Sequence, residues 1–295
     1  MKKKCIFVLG PTASGKSAWA LLQAEKYKGS IINIDSVQLY KGLIIGSAAP
    51  TEEEKRKIPH YLYSYVEAPK EMTAGDYLKD FYQLLESNIR FPLFIVGGTG
   101  FYIQALEKGM FNIEPVPIEF RKSIEEELAA RGAEGLYAEL KEKDPDTKIH
   151  INDHYRLVRA IEIIRYTGTT PTELNKKSSE NKNEFPFEYI KVGFDFDKSD
   201  FEERVKRRTK KIIEAGIIEE TTKFYNLNLA DWAPLQSVGY KETVEFLRSS
   251  KSKEWLFEAI NQSTMQLIKK QKTWFKRDKS VLWSNQEQSL AQFLA

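Results

Sequence analysis

Residues 10–17 read Gly10-Pro11-Thr12-Ala13-Ser14-Gly15-Lys16-Ser17, directly after the apolar run 5–9, Cys-Ile-Phe-Val-Leu. This is the phosphate-loop pattern G-x-x-x-x-G-K-[ST] in its required setting, with a short strand before it and an apolar-periodic segment, 18–27, behind it. The spacing serves chemistry. Gly10 and Gly15 let the backbone wrap an anion so that successive N–H groups point inward. Lys16 adds a point charge that reaches the outer phosphate, and the Ser17 hydroxyl suits Mg²⁺. The following helix offers its positive N-terminal end to the same anion. The alternative is a glycine-containing strand-to-helix turn that binds nothing. Four fixed positions with the correct flanks favour a di- or triphosphate site.

The chain of 295 residues suggests one large domain or a core with one insertion. Hydrophobic residues make up 41% and charged residues 29%, an ordinary globular balance that allows a sizeable core. No apolar stretch approaches the length that spans a bilayer. The Lys-rich start and the run 5–9 are too short for a signal segment and read instead as a first strand. Cys5 is the single cysteine, which excludes an internal disulfide and a multi-cysteine metal site and fits a reducing cytosol. Net charge is +3, but its distribution is uneven. Lys and Arg gather at 204–211 and 269–279, the second stretch carrying Trp274 and Phe275 between the charges. Basic helices with interleaved aromatics suit a phosphate backbone and exposed bases, but taken alone the pattern reads first as a solvated face with aromatics buried behind it.

Short apolar runs at 31–34, 43–45, 93–96 and 189–194 alternate with helical patterns such as 74–88 and 118–130. This alternation predicts an α/β fold with a mainly parallel sheet covered by helices on both faces. Strand signals stop after Gly109 and resume near Tyr189. Between them 118–131, 133–143 and 155–167 read as helices, Gly168 as a stop, and 176–184 as a polar loop. The expected organisation is therefore a P-loop core, 1–115 with 188–295, interrupted by a helical insertion domain, 116–187. From Phe201 the pattern is mostly helical, with an edge strand at 280–283.

Asp35 leaves the end of run 31–34, where α/β sheets bind ligands, followed by Ser36, Val37 and Gln38. A carboxylate there suits a general base or a Mg²⁺ ligand, and equally a helix cap or turn. Gly97-Gly98-Thr99-Gly100 is a second glycine-rich strand exit, without the lysine of a phosphate loop, and suits a wall of the first site. His150 and His154 stand four apart without the glutamate of a zinc helix, so a metal site there is not expected. Arg156 and Arg159 share a helix face that suits either solvent or an anion.

Taken in order, G-P-T-A-S-G-K-S (10–17), D-S-V-Q-L-Y (35–40), G-G-T-G-F-Y (97–102), D-P-D-T-K-I-H-I-N-D-H-Y-R-L-V-R-A-I-E (144–162), S-V-G-Y-K-E (237–242) and K-K-Q-K-T-W-F-K-R (269–277) closely resemble the tRNA dimethylallyltransferases, also called tRNA isopentenyltransferases. The resemblance spans essentially the whole chain. It implies a P-loop NTPase-like α/β core with a helical insertion, and transfer of a dimethylallyl group from dimethylallyl diphosphate to tRNA. The acceptor would be the exocyclic amine of the adenosine 3′ of the anticodon, in tRNAs reading codons that begin with U. It further implies Asp35 as the base that takes the amine's proton and Arg208 as an arginine on the diphosphate, chosen over Arg204 one helical turn earlier. Backbone N–H groups of Thr12–Ser17 with Lys16 and Mg²⁺ would stabilise the departing diphosphate, although the same loop holds the end of ATP as readily. Asp35, Ser36, Val37, Gln38, Thr99, Arg121, Arg156, Arg159 and Lys241 match positions expected to contact tRNA.

There are departures. The pattern H-P-N-D is His150-Ile151-Asn152-Asp153 here, G-Y-R is Gly239-Tyr240-Lys241, and two C-terminal arginines are replaced by Met265 and Lys270. Lysine in place of arginine exchanges a bidentate contact for a point charge. The resemblance is to the bacterial type, without a following zinc finger, and implies a monomeric cytoplasmic enzyme with no membrane partner. The rival readings are a small-molecule or nucleotide kinase, which shares the loop and core but needs ATP, and a non-catalytic P-loop RNA-binding protein.

Overall fold

The structure, a computed structural model, describes residues 3–111, 113, 116–180 and 185–295. In chain order its elements are β1 Lys4–Leu9, α1 Lys16–Lys26, β2 Ser30–Asn33, α2 Glu52–Lys57, β3 His60–Tyr61, α3 Ala74–Leu85, β4 Leu93–Gly97 and α4 Gly100–Lys108. There follow α5 Ile118–Arg131, α6 Ala133–Lys143, α7 His154–Thr167, α8 Pro171–Glu180 and β5 Glu188–Gly193. The chain ends with α9 Lys198–Glu214, α10 Ile217–Tyr225, a 3₁₀ turn at Ala233–Gln236, α11 Tyr240–Arg248, α12 Lys253–Phe275, β6 Val281–Leu282 and α13 Gln286–Leu294. It divides into two compact units, Met1–Gln104 with Pro186–Ala295, and Ala105–Phe185.

The first unit holds a sheet of six strands in the order β3-β2-β4-β1-β5-β6, every pair parallel. Each residue from Cys5 to Leu9 is buried, so neither face of β1 meets solvent. That is why its sequence is a continuous apolar run rather than an alternating one. Burial also pushes the Cys5 thiol well above its ordinary pKa. Ile6, Val8, Ile31, Phe94, Val96 and Val192 from four strands pack with Ala20 and Ala24 of α1. Thr73 opens α3 by accepting from the Asp76 N–H at 3.1 Å, while Asp76 returns a carboxylate to the Thr73 N–H.

The second unit is helical. Ile124 of α5, Leu136 and Leu140 of α6, and Leu157, Ile161 and Ile164 of α7 form its core. Gly132 and Gly168, at φ 78° and 70°, end α5 and α7 in a conformation that other residues resist.

Two local expectations are corrected. Residues 43–45 form no strand and lead into a turn at 45–48, because the N–H groups of Ile44, Ile45 and Gly46 donate to the Glu220 carboxylate instead of to a neighbouring strand. Residues 176–180, expected in a loop, continue α8, while 181–184 lie outside the described residues.

Candidate functional site

β1 delivers the chain into the phosphate loop at Leu9, whose carbonyl accepts from the Phe194 N–H at 3.0 Å. A Cβ on Gly10 would stand 2.8 Å from Ser14 Oγ and 2.9 Å from the Phe194 carbonyl, so only glycine fits the crossing. Ala13 and Gly15 take left-handed φ values of 65° and 84°, turning the peptides so that the chain enters α1 at Lys16. Gly15, at the N-cap of α1, offers it no side-chain hydrogen bond. Its first N–H groups and its positive end are therefore left for an anion. Ser14 Oγ is buried without a hydrogen-bond partner among the described residues, and Ser17 is exposed.

Lys16 Nζ donates to the Pro11 carbonyl at 3.3 Å. Burial lowers its pKa to about 8, opposed by the Asp35 carboxylate and assisted by the Arg208 guanidinium. These three charges are brought together from segments distant in sequence. Of the N–H groups expected to face the anion, two are taken: that of Thr12 donates to Gln271 Oε1 at 2.9 Å and that of Ser14 to the Pro11 carbonyl at 3.2 Å. Gln271 Nε2 in turn donates to the Gly98 carbonyl at 3.1 Å. One α12 side chain thus stitches together the two glycine-rich strand exits, and a Cβ on Gly98 would collide with it.

Asp35 is held by its backbone. Buried Asn33, at the end of β2, accepts from the Asp35 N–H at 2.8 Å and donates to the Asp35 carbonyl at 3.0 Å and the Leu62 carbonyl at 2.9 Å. Asp35 Oδ1 accepts from the Val37 N–H at 3.0 Å, which is the turn-forming role weighed from sequence. The same carboxylate acts on Lys16 and Arg208 and helps raise the Tyr63 phenol, for which desolvation is the larger cause. Thr99 Oγ1 accepts from the Ser36 N–H at 3.1 Å, tying the exit of β4 to the Asp35 turn. Gln38 Nε2 donates to the Ser47 and Ala48 carbonyls at 2.9 and 3.1 Å.

Both candidate arginines of α9 lie beside the loop. Arg208 is half-buried, and Nη2 donates to the Gly46 carbonyl at 3.0 Å. Burial lowers its pKa, with Asp35 opposing. Arg204 stacks over Phe196 at 3.9 Å, and its Nη1 lies 3.7 Å from the point where a Gly15 Cβ would be. Lys241 is exposed in the first turn of α11.

Arg121, Arg156 and Arg159 belong to the second unit. Glu162, 2% exposed, receives Arg121 Nε at 3.0 Å and Arg159 Nη1 at 2.6 Å. Arg156 pairs with Asp153, the cap of α7, at 2.9 Å. His150 precedes α7 and accepts from the Asn152 N–H, so the two histidines share no helix, and no cluster of metal-ligating side chains occurs among the described residues. The donor set near the loop suits Mg²⁺ in a different way. One hydroxyl, Ser17, and one carboxylate, Asp35, match an ion that takes its other oxygens from phosphates and water.

Gln271, Glu220 and Tyr240 were not singled out as site residues. A glutamine within a basic helix and a glutamate in an amphipathic one carry no local signal, since their partners lie more than 170 residues away or across the core.

The model of the IPP transferase family matches residues 38–278. The chain belongs to that family. It is 48% identical to the tRNA dimethylallyltransferase of Bdellovibrio bacteriovorus, over 96% of this chain and 93% of that one. The Oceanobacillus iheyensis protein of the same description is 32% identical over 98% and 93%. Among solved structures, the tRNA isopentenylpyrophosphate transferase of Bacillus halodurans superposes with a TM-score of 0.67 at 26% identity, covering 99% of this chain and 94% of that one. A eukaryotic dimethylallyltransferase acting on tRNA gives 0.76 at 25% identity, over 98% and 77%.

Proposed function

We propose that this member of the family transfers the dimethylallyl group of dimethylallyl diphosphate to the exocyclic amine of the adenosine 3′ of the anticodon, in tRNAs reading codons that begin with U. The observation that carries this reading is the convergence of Lys16, Asp35 and Arg208 on the uncapped start of α1.

The physical roles follow from charge. N–H groups of the loop up to Ser17, with Lys16 and Arg208, bind the diphosphate and oppose the charge that grows on it as the allylic C–O bond breaks. The adenine amine forms the new C–N bond, and Asp35 accepts its proton. The base must leave its stack to reach that carboxylate, which costs least in a loop. Ser17 would hold Mg²⁺, which supplies further charge neutralisation on the phosphate oxygens when bound. Ser36, Val37, Gln38, Thr99 and Lys241, with Arg121, Arg156 and Arg159 of the second unit, are assigned to the RNA. Among the described residues no helix is long and apolar enough to cross a membrane. The enzyme is assigned to the cytoplasm as a monomer from the family resemblance.

The test is a transfer assay with labelled dimethylallyl diphosphate, Mg²⁺ and an unmodified anticodon stem-loop, with ATP hydrolysis followed in parallel. Label on the RNA without ATP turnover is expected. ATP consumption without label would move the reading to a kinase. Asp35→Asn is expected to bind RNA normally while kcat falls about 10²- to 10⁴-fold. Intact transfer by that variant would remove Asp35 as the base.

A further inference from the structure

Arg208 takes a positive charge into the first unit, yet no carboxylate forms an ion pair with it among the described residues; its recorded acceptor is the Gly46 carbonyl. The peptide bearing that carbonyl donates its N–H, on Ser47, to the Tyr240 phenolic oxygen at 3.2 Å. The Tyr240 hydroxyl donates to Glu220 Oε1 at 2.6 Å. Glu220 is 6% exposed and also accepts from the N–H groups of Ile44, Ile45 and Gly46 at 2.9–3.1 Å. A line of hydrogen bonds therefore runs from guanidinium to carbonyl, across one peptide to a phenol, and on to a carboxylate. Every dipole in it points the same way, so each bond polarises the next. The line tolerates no bulk at its middle: a Cβ on Gly46 would lie 2.6 Å from the Tyr240 ring and 2.9 Å from Ile217.

We propose that Glu220 and Tyr240 are positioning residues for Arg208, with Glu220 its remote counter-charge acting through the 46–47 peptide. A carboxylate in direct contact would occupy the donor fork of Arg208. Placed one peptide and one phenol away, it balances the half-buried charge and fixes the side chain while leaving the other guanidinium N–H groups for a diphosphate. Burial and the neighbouring carboxylate hold the Tyr240 phenol far above its ordinary pKa, so it remains a donor at every working pH. The inference rests on the reading above that Arg208 faces the diphosphate.

The experiment is a double-mutant cycle in the full chain, read as affinity for inorganic diphosphate with Mg²⁺ by calorimetry. Tyr240→Phe keeps the ring and removes only the hydroxyl. It is expected to weaken diphosphate binding about fivefold to tenfold, and to leave the KM for the RNA stem-loop unchanged. In an Arg208→Ala background the same change is expected to have no further effect on affinity, while any loss of melting temperature persists. Glu220→Gln is expected to follow Tyr240→Phe in direction. Full affinity in Tyr240→Phe, or an equal loss with and without Arg208, would overturn the proposal. An Arg208→Ala variant that binds diphosphate normally would overturn it together with the placement of Arg208. Failure of the transfer reading is distinguishable, because it shows as absent label with diphosphate binding intact.

Discussion

Lys16 shows at the scale of one residue how the site is charged. Its pKa, lowered by burial from 10.5 to about 8, lies below that of the unfolded chain. Between those values the unfolded state binds the proton and the folded state does not, so stability rises with pH through that window. Diphosphate affinity has the opposite sign, because the anion needs the ammonium. Calorimetry is expected to show affinity steady below about pH 8 and falling above it. A flat profile up to about pH 10 would contradict the placement of Lys16 against the anion. Lys16→Met separates the two effects. Melting temperature should rise, by the equivalent of about 1–2 kcal/mol once partial solvent access is allowed for, while diphosphate binding falls at least about tenfold.

At the scale of elements, two side chains hold segments that local sequence does not. Gln271 binds α12 to both glycine-rich exits. Gln271→Ala is expected to leave the fold intact and to release the Thr12 N–H and Gly98 carbonyl, costing about 1 kcal/mol in denaturant unfolding. In the helical unit, Glu162 joins α5 to α7 by receiving Arg121 and Arg159. Both arginines are about one-third exposed, at 36% and 35% for their side chains. Glu162→Ala, which leaves two guanidinium groups facing each other, should destabilise by about 2 kcal/mol. A change in melting temperature below about 1 °C would show that the clamp contributes nothing. The same elements explain what could be read beforehand. β1, β2 and β4 are buried on both faces, and α5 and α7 end at glycines, so composition and spacing identify them. Residues 43–45 have the apolar composition of a strand, but the N–H groups of Ile44 and Ile45, with that of Gly46, answer to a carboxylate 174–176 residues away. No window of sequence carries that information. The turns at 10–17 and at Asp35 are legible because their residues act on close sequence neighbours, whereas Gln271 and Glu220 act through partners that only the fold supplies.

For the whole molecule, the two compact units carry separate hydrophobic cores. A ligand that binds only the folded phosphate loop stabilises what surrounds it, by about 2.7 kcal/mol at a hundred times its dissociation constant. Hydrogen exchange with saturating diphosphate and Mg²⁺ is therefore expected to slow within Met1–Gln104 and Pro186–Ala295 and to leave the α5–α7 core unchanged. Equal slowing in both units would show that they open together. Cys5 adds a consequence of a different kind. The chain's single sulfhydryl is sealed in the central strand that feeds the phosphate loop. A thiol-alkylating reagent can reach it only when that strand comes apart, so the mass gained over hours is a clock for the opening of the unmodified protein. Occupants of the loop can then be ranked by how far they slow that clock, with no label, engineered site or assay of turnover.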